Sequence, residues 1–377
     1  MKRLKLIRMT AHSQTLNLLK GQIGFLNQYM DVILVAKDTG GLKALAENEG
    51  VEYRDIDMHR EISLKADILS LISLYRLFRR ERPDIVHANT PKGALLGLMA
   101  AWLARVPKRV YNVNGLRFET AKGNFRRLLV TMEKIACACA TKVVPQSNGV
   151  ADVVRKEHIT KKPLKVILNG SGNGVDVNYF DPDNAEVSAK AAEIRGDSKG
   201  INYVFVGRLV GDKGVNELVE AFNRLSQEHD DVKLHLVGRR EDNLDPLRPE
   251  TLEIIKSNNR IIEYDSQQDV RPFLKSADIF VLPSYREGFP NVVLEAMSMS
   301  LPVIVTNVNG ATDAITDGIN GLIISKHNQD ALYGAMKHLY ADSSLRQSMA
   351  KTTRDMVVKR FNRPDVWRAT LEMYQSL

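Results

Sequence analysis

Hydrophobic and polar positions along this chain alternate between two rhythms. Short apolar runs such as Val32-Ile33-Leu34-Val35-Ala36 and Ile279-Phe280-Val281-Leu282 read as strands buried on both faces. Between them lie stretches with apolar residues every third or fourth position, as in Leu64 to Arg80 and Val215 to Leu225, which read as amphipathic helices. In the first half the pattern predicts strands at Arg3 to Arg8, Val32 to Ala36, Val51 to Ile56, Asp84 to His87, Lys108 to Val113, Lys142 to Pro145 and Leu164 to Leu168. It predicts a loop over Met9 to Ser13 and helices at Gln14 to Tyr29, Leu64 to Arg80, Leu95 to Ala104 and Phe125 to Ala140. The second half repeats the rhythm, with strands at 202–206, 232–237, 260–264, 278–282, 302–305 and 321–324 and late helices at 328–341 and 343–359. Such alternation implies α/β architecture, parallel sheets with helices on both faces. Ligands then lie at the carboxyl ends of strands, which aligns Thr10 to Gln14, His87 to Pro91 and Asn112 to Arg117 along one rim.

Length turns this pattern into two domains: 377 residues is long for one core and comfortable for two. The expected division is 1–180 and 181–363, joined by a polar linker from Asp181 to Gly200, with 364–377 a separate amphipathic helix.

Two stretches carry candidate chemistry. Glu287-Gly288-Phe289-Pro290-Asn291 follows a buried strand and precedes an apolar helix, with Asn291 placed to cap it and Glu295 about one turn inside. Free N–H groups at a helix start hold anions or sugar oxygens. A carboxylate such as Glu295 accepts two hydrogen bonds from a ribose diol, and Glu287 suits donor-sugar hydroxyls or positive charge developing at an anomeric carbon. The same two acids also fit a solvated loop charge and an ordinary first-turn acid. Val204-Phe205-Val206-Gly207-Arg208 leads through Gly211-Asp212-Lys213-Gly214 into a helix. Gly207 lets backbone approach a diphosphate, Arg208 offers a fork of donors, and Lys213 offers a point charge. Taken alone, this stretch is equally a strand-turn-helix with two surface cations.

Together with Asn169-Gly170-Ser171-Gly172-Asn173-Gly174-Val175-Asp176, these stretches resemble the retaining GT-B-fold glycosyltransferases with the Glu-x7-Glu motif, of the bacterial capsular and surface polysaccharide type. The resemblance implies two Rossmann-like doubly wound domains facing a cleft, an acceptor-binding first domain, a nucleotide-sugar-binding second domain, and a carboxyl-terminal helix crossing back to the first. It implies metal-independent transfer with retention, using Arg208, Lys213 and Gly207 at the diphosphate and Glu287, Gly288, Phe289, Pro290, Asn291 and Glu295 at the sugar and ribose. The nucleotide base is expected at the loop after strand 260–264, near Tyr264 and Asp265. No cofactor is expected, since the nucleotide-sugar is a substrate. Two departures stand out. Many relatives carry a His where this chain has Asn114, and their first-loop Gly-Gly is replaced by Thr10-Ala11-His12-Ser13-Gln14, with Thr10 and Ser13 the candidate contacts. His87 is the nearest His for the catalytic region, alongside Glu287 and Asn114; a strand-end His bonded to backbone is the plainer reading. UDP is the favoured nucleotide, with GDP-mannose open. Competing readings are a sugar-nucleotide epimerase of the same architecture and a non-catalytic nucleotide-binding assembly protein.

Charge adds a location. Residues 1–180 hold 29 Lys and Arg against 16 Asp and Glu, a balance of +13, and the remaining 24 and 29 give −5. Arg76, Arg79, Arg80 and Arg82 cluster at one helix end, and Arg117, Lys122, Arg126 and Arg127 lie beside Phe118, Phe125, Leu128 and Leu129. Basic residues beside apolar ones suit an anionic membrane surface. The expected partners are therefore a nucleotide-sugar donor, a polyprenyl-diphosphate-linked saccharide and the inner membrane face, with no nucleic acid. No signal-peptide pattern precedes the first strand, and Gly93 to Leu103 is too short to span a bilayer, so a cytoplasmic peripheral enzyme is expected. Cys137 and Cys139 read as small core residues.

Overall fold

The computed structural model describes residues 3–59, 63–243 and 245–377. The chain divides into two compact units, Met1–Asn173 with Pro364–Leu377, and Gly174–Arg363.

The first unit contains β1 (Lys5–His12), α1 (Ser13–Leu16), α2 (Gln22–Asn27), β2 (Asp31–Lys37), α3 (Leu42–Glu49), β3 (Glu52–Asp55), α4 (Leu64–Glu81), β4 (Ile85–Asn89), α5 (Pro91–Leu103), β5 (Lys108–Val113), α6 (Gly123–Cys139), β6 (Lys142–Pro145) and α7 (Asn148–Lys156). Its six strands are parallel in the order β3-β2-β1-β4-β5-β6, with Ile7 registered against both Ile33 and Val86. Residues Leu6 to Ala11 are all buried because β1 is covered on both faces, as parallel sheets require. One apolar layer holds Leu74, Phe78, Leu98 and Tyr111, and the opposite layer holds Leu16, Ile23, Leu34 and Leu45. A last helix from the chain end completes the second layer with Leu371, Met373 and Tyr374.

The second unit contains α8 (Ala185–Arg195), β7 (Ile201–Val206), α9 (Val215–Glu228), β8 (Val232–Val237), α10 (Pro249–Ser257), β9 (Ile261–Tyr264), α11 (Arg271–Ser276), β10 (Ile279–Leu282), α12 (Asn291–Ser298), β11 (Val303–Thr306), α13 (Ala311–Ala314), β12 (Gly321–Ile324), α14 (Gln329–Ala341) and α15 (Ser343–Phe361). Its sheet is parallel in the order β12-β11-β10-β7-β8-β9. The chain then enters α16 (Arg363–Gln375), whose residues from Pro364 belong to the first unit. The direction of winding reverses between β1 and β4 in one sheet and between β7 and β10 in the other, the points at which doubly wound sheets open toward ligands.

Several sequence expectations shift. Met9 to His12 is not a loop: the apolar run carries β1 on to His12, so Thr10 is a fully buried strand residue and Ser13 opens α1. The single helix expected from Gln14 to Tyr29 is interrupted, because Gly21 adopts φ +83°. An added Cβ there would lie 2.7 Å from the Trp367 ring. Leu164 to Leu168 is not a strand; only Leu164 bridges to Val143. The expected polar linker contains α8, held by Val187 and Ala191 against the core. The first unit ends at Asn173 rather than at residue 180, since Val175 pairs with Asn362 and Phe180 sits in the second core.

Candidate functional site

In the second unit the loops after β7 and β10 meet beside the reversal point. Gly214 has φ +70°, and an added Cβ would lie 2.1 Å from Pro283 O, so only glycine admits this approach. The Tyr285 N–H donates to Asp212 O at 2.9 Å and the Arg286 guanidinium pairs with Asp212 at 3.2 Å. The closure brings Lys213 Nζ to 2.5 Å from Glu287 Oε1. Only a fifth of the Lys213 side chain and a tenth of the Glu287 side chain are exposed. Gly310 plays the matching part for the loop after β11: its added Cβ would lie 2.1 Å from Gly288 O.

Gly207 follows β7 at φ +155°, and its N–H donates to Val237 O at 2.9 Å. Arg208 is exposed and bonded to Glu241 at 2.6 Å. A surface cation held by one carboxylate can exchange that partner for a phosphate. Phe289 is buried against Phe361, ring centroids 5.4 Å apart, which anchors the loop before α12. Asn291 is the first helical residue, with Pro290 in the cap position and no side-chain cap bond; the expected Asn291 cap is one residue out. A helix start has N–H groups without intrahelical acceptors, and α12 begins four residues after Glu287.

Glu295 lies one turn inside α12. Its residue surface is half-buried, but protein surrounds its carboxyl. Desolvation pushes the pKa up to about 7, and Arg363 opposes the rise. Tyr264 closes β9, at the strand end expected. Its hydroxyl lies 3.3 Å from His235 Nδ1 and its ring packs on Phe273, while Asp265 is exposed beyond it.

In the first unit, Asn89, Asn112 and Asn114 gather at the ends of β4 and β5, with the Asn112 and Asn89 amides both donating to Asn114 Oδ1, the latter at 3.5 Å. His87 is buried inside β4, not at an open strand end. Its Nδ1 lies 2.7 Å from Arg8 Nη1 and also meets the Tyr374 hydroxyl. Burial, then Arg8, holds it far below the ordinary histidine range, so it is neutral. Thr10 donates to His12 O at 2.8 Å and Ser13 contacts Thr39 and Asp38, so both are committed within the fold. Ser147 caps α7, accepting from Val150 N at 3.1 Å.

Sequence reasoning missed Asp212, Arg286, Glu241, Arg8 and Tyr374. Arg286 adjoins Glu287 and was within reach of the motif. Arg8 alone carried a signal of another kind, a cation set between the apolar Ile7 and Met9.

A family model described as "Glycosyl transferases group 1" matches residues 188–356, and one described as "Glycosyltransferase Family 4" matches residues 23–171. The chain is 34% identical over 378 residues to the capsular polysaccharide biosynthesis glycosyltransferase CapM of Staphylococcus aureus, covering 100% of this chain and 98% of that protein. It is 30% identical over 341 residues to the UDP-Gal:alpha-D-GlcNAc-diphosphoundecaprenol alpha-1,3-galactosyltransferase of Escherichia coli, 89% of this chain and 86% of that one. The crystal structure of Anabaena Alr3699/HepE in complex with UDP and glucose superposes with a TM-score of 0.82 at 19% identity, over 99% of this chain and 100% of that one, a likeness of fold.

Proposed function

Since the chain belongs to the group 1 glycosyltransferases, we propose that it transfers a sugar from a UDP-sugar to a lipid-diphosphate-linked saccharide, with retention and without metal, in surface polysaccharide assembly. The observation that carries this reading is the Lys213–Glu287 pair, 2.5 Å apart where the loops after β7 and β10 meet. Lys213 and Arg208 supply two positive charges for a diphosphate, and the α12 N–H groups add fixed donors. When the diphosphate takes Lys213, Glu287 is released toward the sugar, where its negative charge opposes positive charge at the anomeric carbon. Glu295, as a carboxylate, accepts both hydroxyls of the ribose. Retention follows if the incoming hydroxyl approaches from the diphosphate side, with the departing phosphate oxygen receiving its proton.

The relatives named for capsule biosynthesis and for a diphosphoundecaprenol acceptor support the acceptor class. The surface of the first unit supports a membrane location. Leu64, Ile68, Leu69, Ile72 and Tyr75 form an exposed stripe on α4. α4 packs on α5 and α5 on α6, where Trp102, Phe125 and Leu128 are also exposed. Arg76, Arg79, Arg80, Arg117, Lys122 and Arg127 stand exposed on these helices and their flanks; Arg126 is partly neutralised by Glu157 at 2.7 Å. Apolar residues rimmed by cations suit reversible docking on anionic lipid at the cytoplasmic leaflet, about 1 kcal/mol per cation. Two measurements test the reading. A thermal-shift screen of UDP, GDP, ADP and TDP sugars should single out UDP donors. Co-sedimentation should pellet the protein with anionic but not neutral vesicles at low salt, and Arg127→Glu with Leu69→Glu should abolish it. Equal stabilisation by every nucleotide, or no pelleting, contradicts the donor and membrane parts respectively.

A further inference from the structure

A small recess, open to solvent, lies wholly within the first unit at the carboxyl end of its sheet. Arg8, His87, Asn89, Asn112, Gln146 and Thr370 are among its walls. It sits where β1 and β4 adjoin, the reversal point of that sheet.

Its floor carries a cation and no carboxylate among the lining residues, and Asn89 Oδ1 is the one buried side-chain acceptor there without a protein partner. Arg8 is 2% exposed, and among the described residues it makes no ion pair. Its Nη1 donates to His87 Nδ1 and to the Tyr374 hydroxyl, two neutral groups. Because His87 Nδ1 accepts, the neutral ring carries its proton on Nε2. Both His87 Nε2 and Arg8 Nε are buried with no protein partner. A buried cation facing only dipoles is costly, and two donors left over beside it cannot satisfy each other.

From this donor set we propose that the pocket is a binding site for one oxyanion, a phosphate or a carboxylate borne by a ligand, received by Arg8 and His87 with the surrounding amides. Tyr374, delivered by the chain's final helix, orients Arg8 and His87 and makes the site depend on that helix being docked. An oxyanion site here requires nothing of the donor loops in the second unit. Two sources share the chemistry: a lipid diphosphate and an acidic sugar.

The test uses the full chain with Arg208→Ala and Lys213→Ala, so that anions do not bind at the donor loops. Histidines are labelled with ¹⁵N, and the His87 signal is assigned by its loss in His87→Leu. Inorganic phosphate, acetate, glucuronate and farnesyl diphosphate are titrated against chloride of equal ionic strength. The expected result is a saturable shift of the His87 Nε2–H signal with at least one oxyanion and not with chloride. Arg8→Lys and Tyr374→Phe should each weaken binding, Arg8→Lys by roughly tenfold or more. Tighter binding of farnesyl diphosphate assigns a phosphate source, and tighter binding of glucuronate an acidic sugar. A His87 signal that no oxyanion moves beyond the chloride control overturns the proposal, and the unvaried His87 and Arg8 in the titrated protein make that outcome independent of whether the pocket variants fold.

Discussion

Removing the Lys213 ammonium should separate catalysis from stability in a way that few other substitutions can. Lys213→Ala withdraws one of the two cations that the proposed function sets against the diphosphate and strands Glu287, nine-tenths of whose side chain is covered. Loss of one preorganised charge-stabilising donor costs roughly 10²–10³ in kcat, about 2.7–4 kcal/mol. Breaking a fully buried pair costs about 3–5 kcal/mol; with a fifth of Lys213 exposed, about 1–3 kcal/mol of folding stability is expected here. The double substitution Lys213→Met with Glu287→Gln leaves no charge unpaired, so it should recover most of the stability and none of the activity. Urea unfolding gives the first quantity, and initial rates with donor and acceptor give the second. A folded Lys213→Ala protein whose kcat/KM stays within about threefold of wild type would refute the assigned role.

The remaining expectations are of three kinds. Glu295 should bind the donor ribose as a carboxylate, so affinity for a nucleotide-sugar should fall as pH drops through about 7, by up to about tenfold per unit, and Glu295→Gln should flatten the profile. Calorimetry across pH checks this, and a flat wild-type profile would count against it. Glu133, buried with the Tyr111 hydroxyl at 2.5 Å, has its pKa raised to about 7 by desolvation, against the opposing Tyr111 bond. Its folded pKa exceeds the unfolded 4.5, so the folded state binds the extra proton between those values and stability falls as pH rises through the window. Glu133→Gln should therefore gain on wild type by up to about 3 kcal/mol between about pH 5 and about pH 8, read from urea midpoints. Gly214→Ala should cost about 1–3 kcal/mol and lower turnover as well, since its φ and the Pro283 contact both exclude a Cβ; an unchanged melting temperature with full activity would show the loops joined otherwise.

Strands covered on both faces were legible because burial writes itself as uninterrupted apolar residues. Val232–Val237 falls on the residues expected, and Lys108–Val113 and Lys142–Pro145 likewise. The loops after β7 and β10 were legible as loops because glycines, cations and acids stand close together in sequence. What escaped was set by distant partners. Gly21 breaks a helix-like pattern by adopting φ +83°, with Trp367 standing where a Cβ would lie. Met9 to His12 looked like a loop because Thr10 and His12 are polar, yet the sheet buries Thr10 fully, and Thr10 and Ser13 end up bonded within the fold rather than free for a ligand. Leu164 to Leu168 has strand-like residues but meets the sheet at a single bridge. Arg8, His87 and Tyr374 span 366 positions, so no local pattern joins them.

The most direct test of the donor-site account is transfer itself. Radiolabelled UDP-sugars are incubated with a synthetic undecaprenyl-diphosphate-linked monosaccharide and chelator, using wild type and Lys213→Ala at matched folded concentration, and the lipid fraction is counted and its new linkage assigned by NMR. The account predicts labelled lipid with the donor's anomeric configuration from wild type, and a signal lower by about two orders of magnitude from the variant. No labelled product from any UDP-sugar, an inverted linkage, or equal product from Lys213→Ala would contradict it.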